Sequence, residues 1–161
     1  MSTIWHITFG TYGARLHGGD RPTVDRNHNV LSQPYIPPNA RRARFEQNRM
    51  RDETVYLQSR ERAFIEATIP ELCERGGWHF HACAAELNHI HVLLKADSRV
   101  HGKRIRALLK RWLTQALNQR LGQRRTWWAE GGSNRVIHDV AYLENAKGYV
   151  CAQGIMNREQ P

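Results

Sequence analysis

An α+β sandwich is the fold class this sequence predicts, and three observations predict it. Apolar and polar residues alternate over Trp78 to Ala85 and again over His89 to Lys95, the period of strands. Between Lys103 and Leu121 apolar residues recur every three or four positions, the period of a helix. Strand-like and helix-like segments also succeed one another along 161 residues without an internal repeat, a length that suits one domain with an ordinary core.

Each element has its own signal. Trp5 to Tyr12 is aromatic and β-branched with partial alternation, a first strand broken by Gly13, Gly18 and Gly19. Residues 15–56 carry Pro22, Pro34, Pro37 and Pro38 without a sustained period and read as an irregular excursion. Within it Arg41, Arg42, Arg44, Arg49 and Arg51 surround Phe45 and either touch phosphates or form a solvated face. Ser59 is the expected N-cap of a helix to Arg75 that buries Ala63, Phe64, Ala67 and Leu72, is kinked at Pro70 and stops at Gly76-Gly77.

Alternation in the next strand places Trp78, Phe80, Ala82 and Ala84 on one face and His79, His81 and Cys83 on the other. Glu86-Leu87-Asn88 turns the chain into His89 to Lys95. With Leu87 at the centre, His89 falls opposite Ala85 and His91 opposite Cys83. A helix over 103–121 buries Ile105, Leu108, Leu109, Trp112, Ala116 and Leu117. A short strand at Asn134 to Ile137 and a last helix at Ala141 to Ala152 complete the chain. The order strand, helix, strand, strand, helix, strand, helix matches a split β-α-β, ferredoxin-like sandwich with an antiparallel sheet.

Lysine and arginine total 24 against 15 acidic residues, a net charge of +9. That excess favours a polyanion, nucleic acid first. No apolar run is long enough to span a membrane and the N-terminus lacks a signal-peptide pattern, so a cytoplasmic protein without a membrane partner is expected. Cys73, Cys83 and Cys151 are odd in number and scattered, which indicates neither a disulfide framework nor a cysteine zinc site.

The residues that carry chemistry are His89-Ile90-His91 and Tyr149 with Gln153. On a strand, His89 and His91 point to one face and can share an ion; on a helix, Tyr149 and Gln153 share a face and can meet it. His79-Phe80-His81 repeats the first pattern, and either pair can equally be an ordinary strand pair. Tyr142 shadows Tyr149, but four residues beyond it stands Ala146, which ligates nothing. Two imidazoles and one oxygen ligand, with positions left for phosphate and water, suit Mg²⁺ or Mn²⁺. Val92-Leu93-Leu94 after His91 lacks the acidic and histidine ligands of a zinc hydrolase.

In these motifs the sequence resembles the single-tyrosine HUH transposases, which comprise compact insertion-sequence enzymes and relatives associated with repetitive extragenic palindromes (REP). The strand Trp5-His6-Ile7-Thr8-Phe9, Asn88 before the histidine pair and the long basic helix add to the likeness. The resemblance implies Tyr149 as the nucleophile, with His89, His91 and Gln153 at the metal. It also implies cleavage of single-stranded DNA at a hairpin through a 5′-phosphotyrosine link, in a bacterial, nucleoid-associated protein. Compact members swap helices as dimers, so a homodimer and a tyrosine acting in trans stay open.

Lys103, Arg104, Lys110, Arg111, Arg124 and Arg125 are candidates to hold DNA phosphates. Trp127 and Trp128 either stack unpaired bases or pack on the core. Two other classes remain: a noncatalytic nucleic-acid-binding module of the same fold, and a metal nuclease without a covalent intermediate.

Overall fold

The computed structural model describes residues 1–13, 41 and 53–158, with side chains through residue 152. Among these residues the elements are β1 (Ser2–Gly10), α1 (Ser59–Gly76), β2 (His79–Ala85), β3 (His89–Asp97), α2 (Gly102–Leu121), β4 (Ser133–Ile137) and α3 (Val140–Arg158). The strands join in the order β2-β3-β1-β4, every neighbouring pair antiparallel. The chain is therefore the α+β, ferredoxin-like sandwich that the element order predicts. Of the arginine cluster in the expected excursion, Arg42, Arg44, Arg49 and Arg51 lie outside the described residues. No helix among the described residues is long and apolar enough to cross a membrane.

Side-chain alternation gives the sheet two faces. On one, Ile7, Phe9, Ile90, Val92 and Leu94 pack against Ile65, Ile69 and Leu72 of α1 and Ile105, Leu109, Leu113 and Leu117 of α2. Each such side chain, buried, contributes about 1.5–3 kcal/mol. On the other face, α3 lays Leu143 and Val150 over Ala82, Ala84, Leu93 and Ile137. α3 covers only part of this second face. His6 and Thr8 of β1 and the exposed Ser133 and Arg135 of β4 share it with His89 and His91.

The N-cap of helix α1 lies one residue earlier than expected, and Ser59 is the first helical residue. Gln58 is the N-cap, and its backbone N–H donates to Glu61 Oε2 at 2.7 Å. The helix continues without interruption through Pro70. Proline has no N–H for the carbonyl four residues back, that of Glu66, and the Cys83 thiol donates to that oxygen at 3.7 Å. The Glu66 carboxylate accepts the Ala85 backbone N–H at 3.1 Å. The proline thus frees an acceptor that ties α1 to β2, next to the turn that builds the site.

Two details of the hairpin differ from expectation, and both come from register. The turn has two residues, Leu87 and Asn88, so Ala85 pairs with Ile90 and Ala84 with His91. Glu86 donates its backbone N–H to the His89 carbonyl at 2.8 Å. The register also slips between Phe80 and Ala82, leaving His81 as the extra residue of a bulge. Cys83 therefore joins Phe80 on the main core, while Ala82 and Ala84 face α3.

Candidate metal and tyrosine site

A two-residue turn makes Glu86 and His89 a cross-strand pair, and such pairs present their side chains on one face. His91 lies two residues further along the same face. The ligand-capable atoms of Glu86, His89 and His91 all fall within 4.8 Å of one another, a candidate divalent-metal triad. Sequence reasoning placed Glu86 in the turn and missed it. The signal was present in a glutamate three residues before the first histidine, but it is readable only once the turn length is known.

The turn is held firmly. The Leu87 carbonyl accepts the Leu57 N–H at 2.7 Å and the Asn88 carbonyl accepts the Thr11 N–H at 2.9 Å. Asn88 Oδ1 lies 2.7 Å from His89 Nδ1, so that nitrogen carries a proton and Nε2 is turned toward Glu86 Oε2 at 2.8 Å. An imidazole lone pair facing a carboxylate at that distance requires a positive charge between or upon them, a proton or a cation. His91 repeats the pattern more deeply: it is 7% exposed, with Nε2 3.6 Å from Glu86 Oε1. Its Nδ1 lies 3.1 Å from both Thr8 Oγ1 and His6 Nε2. Burial, aided by the Arg135 charge, lowers the His6 pKa and favours the neutral ring. Outer-shell partners of this kind fix the tautomer of a ligating histidine.

Tyr149 stands beside this triad. Val150 is fully buried under α3 while Tyr149 is 55% exposed, its ring edge-on to His91 with centroids 6.1 Å apart. Tyr142, two helical turns earlier, is also exposed, at 43%, and its backbone N–H donates to Asp139 Oδ1 at 2.6 Å at the helix start. Gln153 lies on α3 four residues beyond Tyr149, and its side chain is outside the described residues. The rings of the rival pair, His79 and His81, meet edge to face, with centroids 4.9 Å apart, on the edge strand β2. Burial, then the charges of Lys147, His79 and Lys95, lower the His81 pKa against an opposing effect of Glu144.

The basic candidates lie in the other layer. Lys103, Arg104 and Arg111 are exposed on α2, on the opposite side of the sheet from Tyr149; Arg124 is exposed and Arg125 half-buried in the segment after it. Lys110 is turned inward and donates to the carbonyls of Ala129 at 2.7 Å and Gly131 at 2.6 Å. Of the two readings of the tryptophans, the structure takes packing for Trp127, which is 1% exposed and donates to Asn118 Oδ1 at 2.9 Å. Trp128 is half-buried, edge-on to Phe9 at 5.1 Å, and donates to the Lys110 carbonyl and to Thr114.

The solved structures that the chain is similar to include two transposases. One is a candidate transposase from Deinococcus radiodurans R1, at 11% identity and a TM-score of 0.48, covering 95% of this chain and 92% of that one. The other is a REP-associated tyrosine transposase bound to a REP hairpin, at 12% identity and a TM-score of 0.49, covering 96% of this chain and 67% of that one. No protein-family model and no curated protein matches the sequence.

Proposed function

We propose that the protein is a metal-dependent, transposase-like DNA strand transferase with Tyr149 as its nucleophile. One observation carries this reading: an exposed tyrosine lies edge-on to a buried histidine of a two-imidazole, one-carboxylate triad. That donor set fits a divalent cation, Mn²⁺ or Mg²⁺, with Glu86, His89 and His91 holding it and Gln153, by its helical spacing from Tyr149, as a further oxygen ligand. A bound cation would supply Lewis-acid stabilisation of charge developing on a phosphate.

The chain's own residues account for the rest. The Tyr149 oxygen attacks phosphorus; the new oxygen–phosphorus bond forms as the bond to the 3′-oxygen breaks. The phenolic proton passes to solvent and the leaving oxygen takes one up as a 3′-hydroxyl. The product is a 5′-phosphotyrosine ester. Because the phosphodiester is exchanged and not hydrolysed, another 3′-hydroxyl can reverse the step and join a different strand. The net charge of +9 supports a DNA partner, single-stranded or hairpin.

The reading is tested by incubating the protein with end-labelled single-stranded hairpin DNA and Mn²⁺ and resolving the products under denaturing conditions. The wild type should form a covalent adduct, Tyr149→Phe should form none, and His89→Ala and His91→Ala should lose the adduct while retaining DNA affinity. Cleavage by Tyr149→Phe would instead indicate a nuclease without a covalent intermediate. DNA binding with no cleavage by the wild type would indicate a binding module.

A further inference from the structure

The basic helix and the tyrosine site lie on opposite sides of the sheet, so a strand that uses both must cross an edge. Between α2 and the site that edge is β4, the outer neighbour of β1. Its residues alternate accordingly. Asn134 faces α2, where Arg106 donates to its Oδ1 at 2.6 Å, and it lines a cleft of about 620 Å³ together with Trp5, Lys103 and Arg104. Arg135 faces the other way: it pairs with His6, between Ser133 opposite Thr8 and Ile137 opposite Ile4. Ile137 and Ile4 belong to the cluster under α3, which fixes the side on which Arg135 stands.

We infer that single-stranded DNA passes over the β4 edge, from the cleft at Trp5, Lys103 and Arg104 to the tyrosine site, with Arg135 holding a phosphate that flanks the scissile one. The inference rests on the transferase reading. Arg135 is exposed on the part of the second face that α3 leaves uncovered, in the row of His6 and Leu93, so it lies two strands across and two residues along from His91, about 12 Å away. That separation suits a neighbouring phosphate better than the one under attack. A guanidinium presents a planar fork of donors to phosphate oxygens, which a surface lysine does not. In the cleft, the Trp5 ring offers a stacking surface for a base and Lys103 and Arg104 offer cations to the backbone.

The test measures binding of uncleaved hairpin DNA to the Tyr149→Phe protein by fluorescence anisotropy across a salt series, with and without Arg135→Gln. One lost phosphate contact on a single strand should lower the slope of log K against log salt by about 0.7. Arg135→Lys should restore most of that slope, and Mn²⁺ affinity by calorimetry should be unchanged in both. Lys103→Gln with Arg104→Gln should lower the slope further, additively with Arg135→Gln. An unchanged slope in Arg135→Gln overturns the inference, as does an altered Mn²⁺ affinity with the slope intact. Since Tyr149→Phe performs no covalent chemistry, these outcomes are independent of whether the wild type forms an adduct.

Discussion

Glu86 and His89 face each other across the Leu87-Asn88 turn, with Oε2 and Nε2 2.8 Å apart. Because Glu86 also approaches His91 at 3.6 Å, one carboxylate closes a site that the histidine pair leaves open. Glu86→Gln should therefore lower Mn²⁺ affinity by about ten-fold or more while the far-ultraviolet circular dichroism stays that of the parent. Calorimetric titration of Mn²⁺ measures it, and parental affinity would remove Glu86 from the ligand set.

His6 and Thr8 both approach His91 Nδ1, on the far side of its ring from Glu86, so in the proposed metal site they act as positioning residues. His6→Phe should weaken Mn²⁺ binding by about ten-fold, and Thr8→Val should weaken it further in the double variant. Nitrogen-15 NMR of the His91 ring gives the independent check: its tautomer should become mixed in the double variant and stay single in the wild type.

Lys110 gives the fold a recognisable pH signature. Burial, reinforced by the Arg106 charge against a smaller effect of Glu130, lowers its ammonium to about 8. In the unfolded chain a lysine holds its proton to about 10.4. Between those values the unfolded state carries more protons, so this group makes stability rise with pH across that window. The difference in unfolding free energy between wild type and Lys110→Met, followed by urea denaturation from pH 7 to 10.5, should shift in favour of the wild type as pH rises. A flat difference would contradict the buried placement.

Gly132 carries β4 up to β1. Its φ is +134°, and a Cβ there would stand 2.5 Å from the Thr8 carbonyl oxygen, a backbone atom that cannot swing aside. Gly132→Ala should destabilise the fold by about 1–3 kcal/mol, read as a lowered urea midpoint.

Much of this fold was legible because its periods are long and unmixed. Helix α2 spends five turns repeating one apolar stripe, and only Leu113 was missed from it; in α1, whose stripe is less regular, the expected Ala63 and Ala67 are exposed and Ile65 and Ile69 are buried in their place. The hairpin was legible as two alternating runs, but its register was not. Leu87-Asn88 lacks the glycine that marks most two-residue turns, and a one-residue slip moves every cross-strand partner. That slip hid Glu86. The bulge at His81 likewise left no mark in composition, and it moved Cys83 from one face to the other. Tyr149 was distinguished from Tyr142 by Gln153 alone; the structure adds the ring of His91 beside it. Trp127 and Trp128 could not be sorted from sequence, since an indole packs and stacks equally well until its N–H partner is known.

The most direct measurement of the central claim is mass spectrometry of the protein after reaction with hairpin DNA and Mn²⁺, with nuclease trimming and proteolysis. The account predicts a single modified peptide, bearing a 5′-linked nucleotide on Tyr149. A nucleotide on Tyr142, or cleaved DNA with no modified peptide, would contradict it.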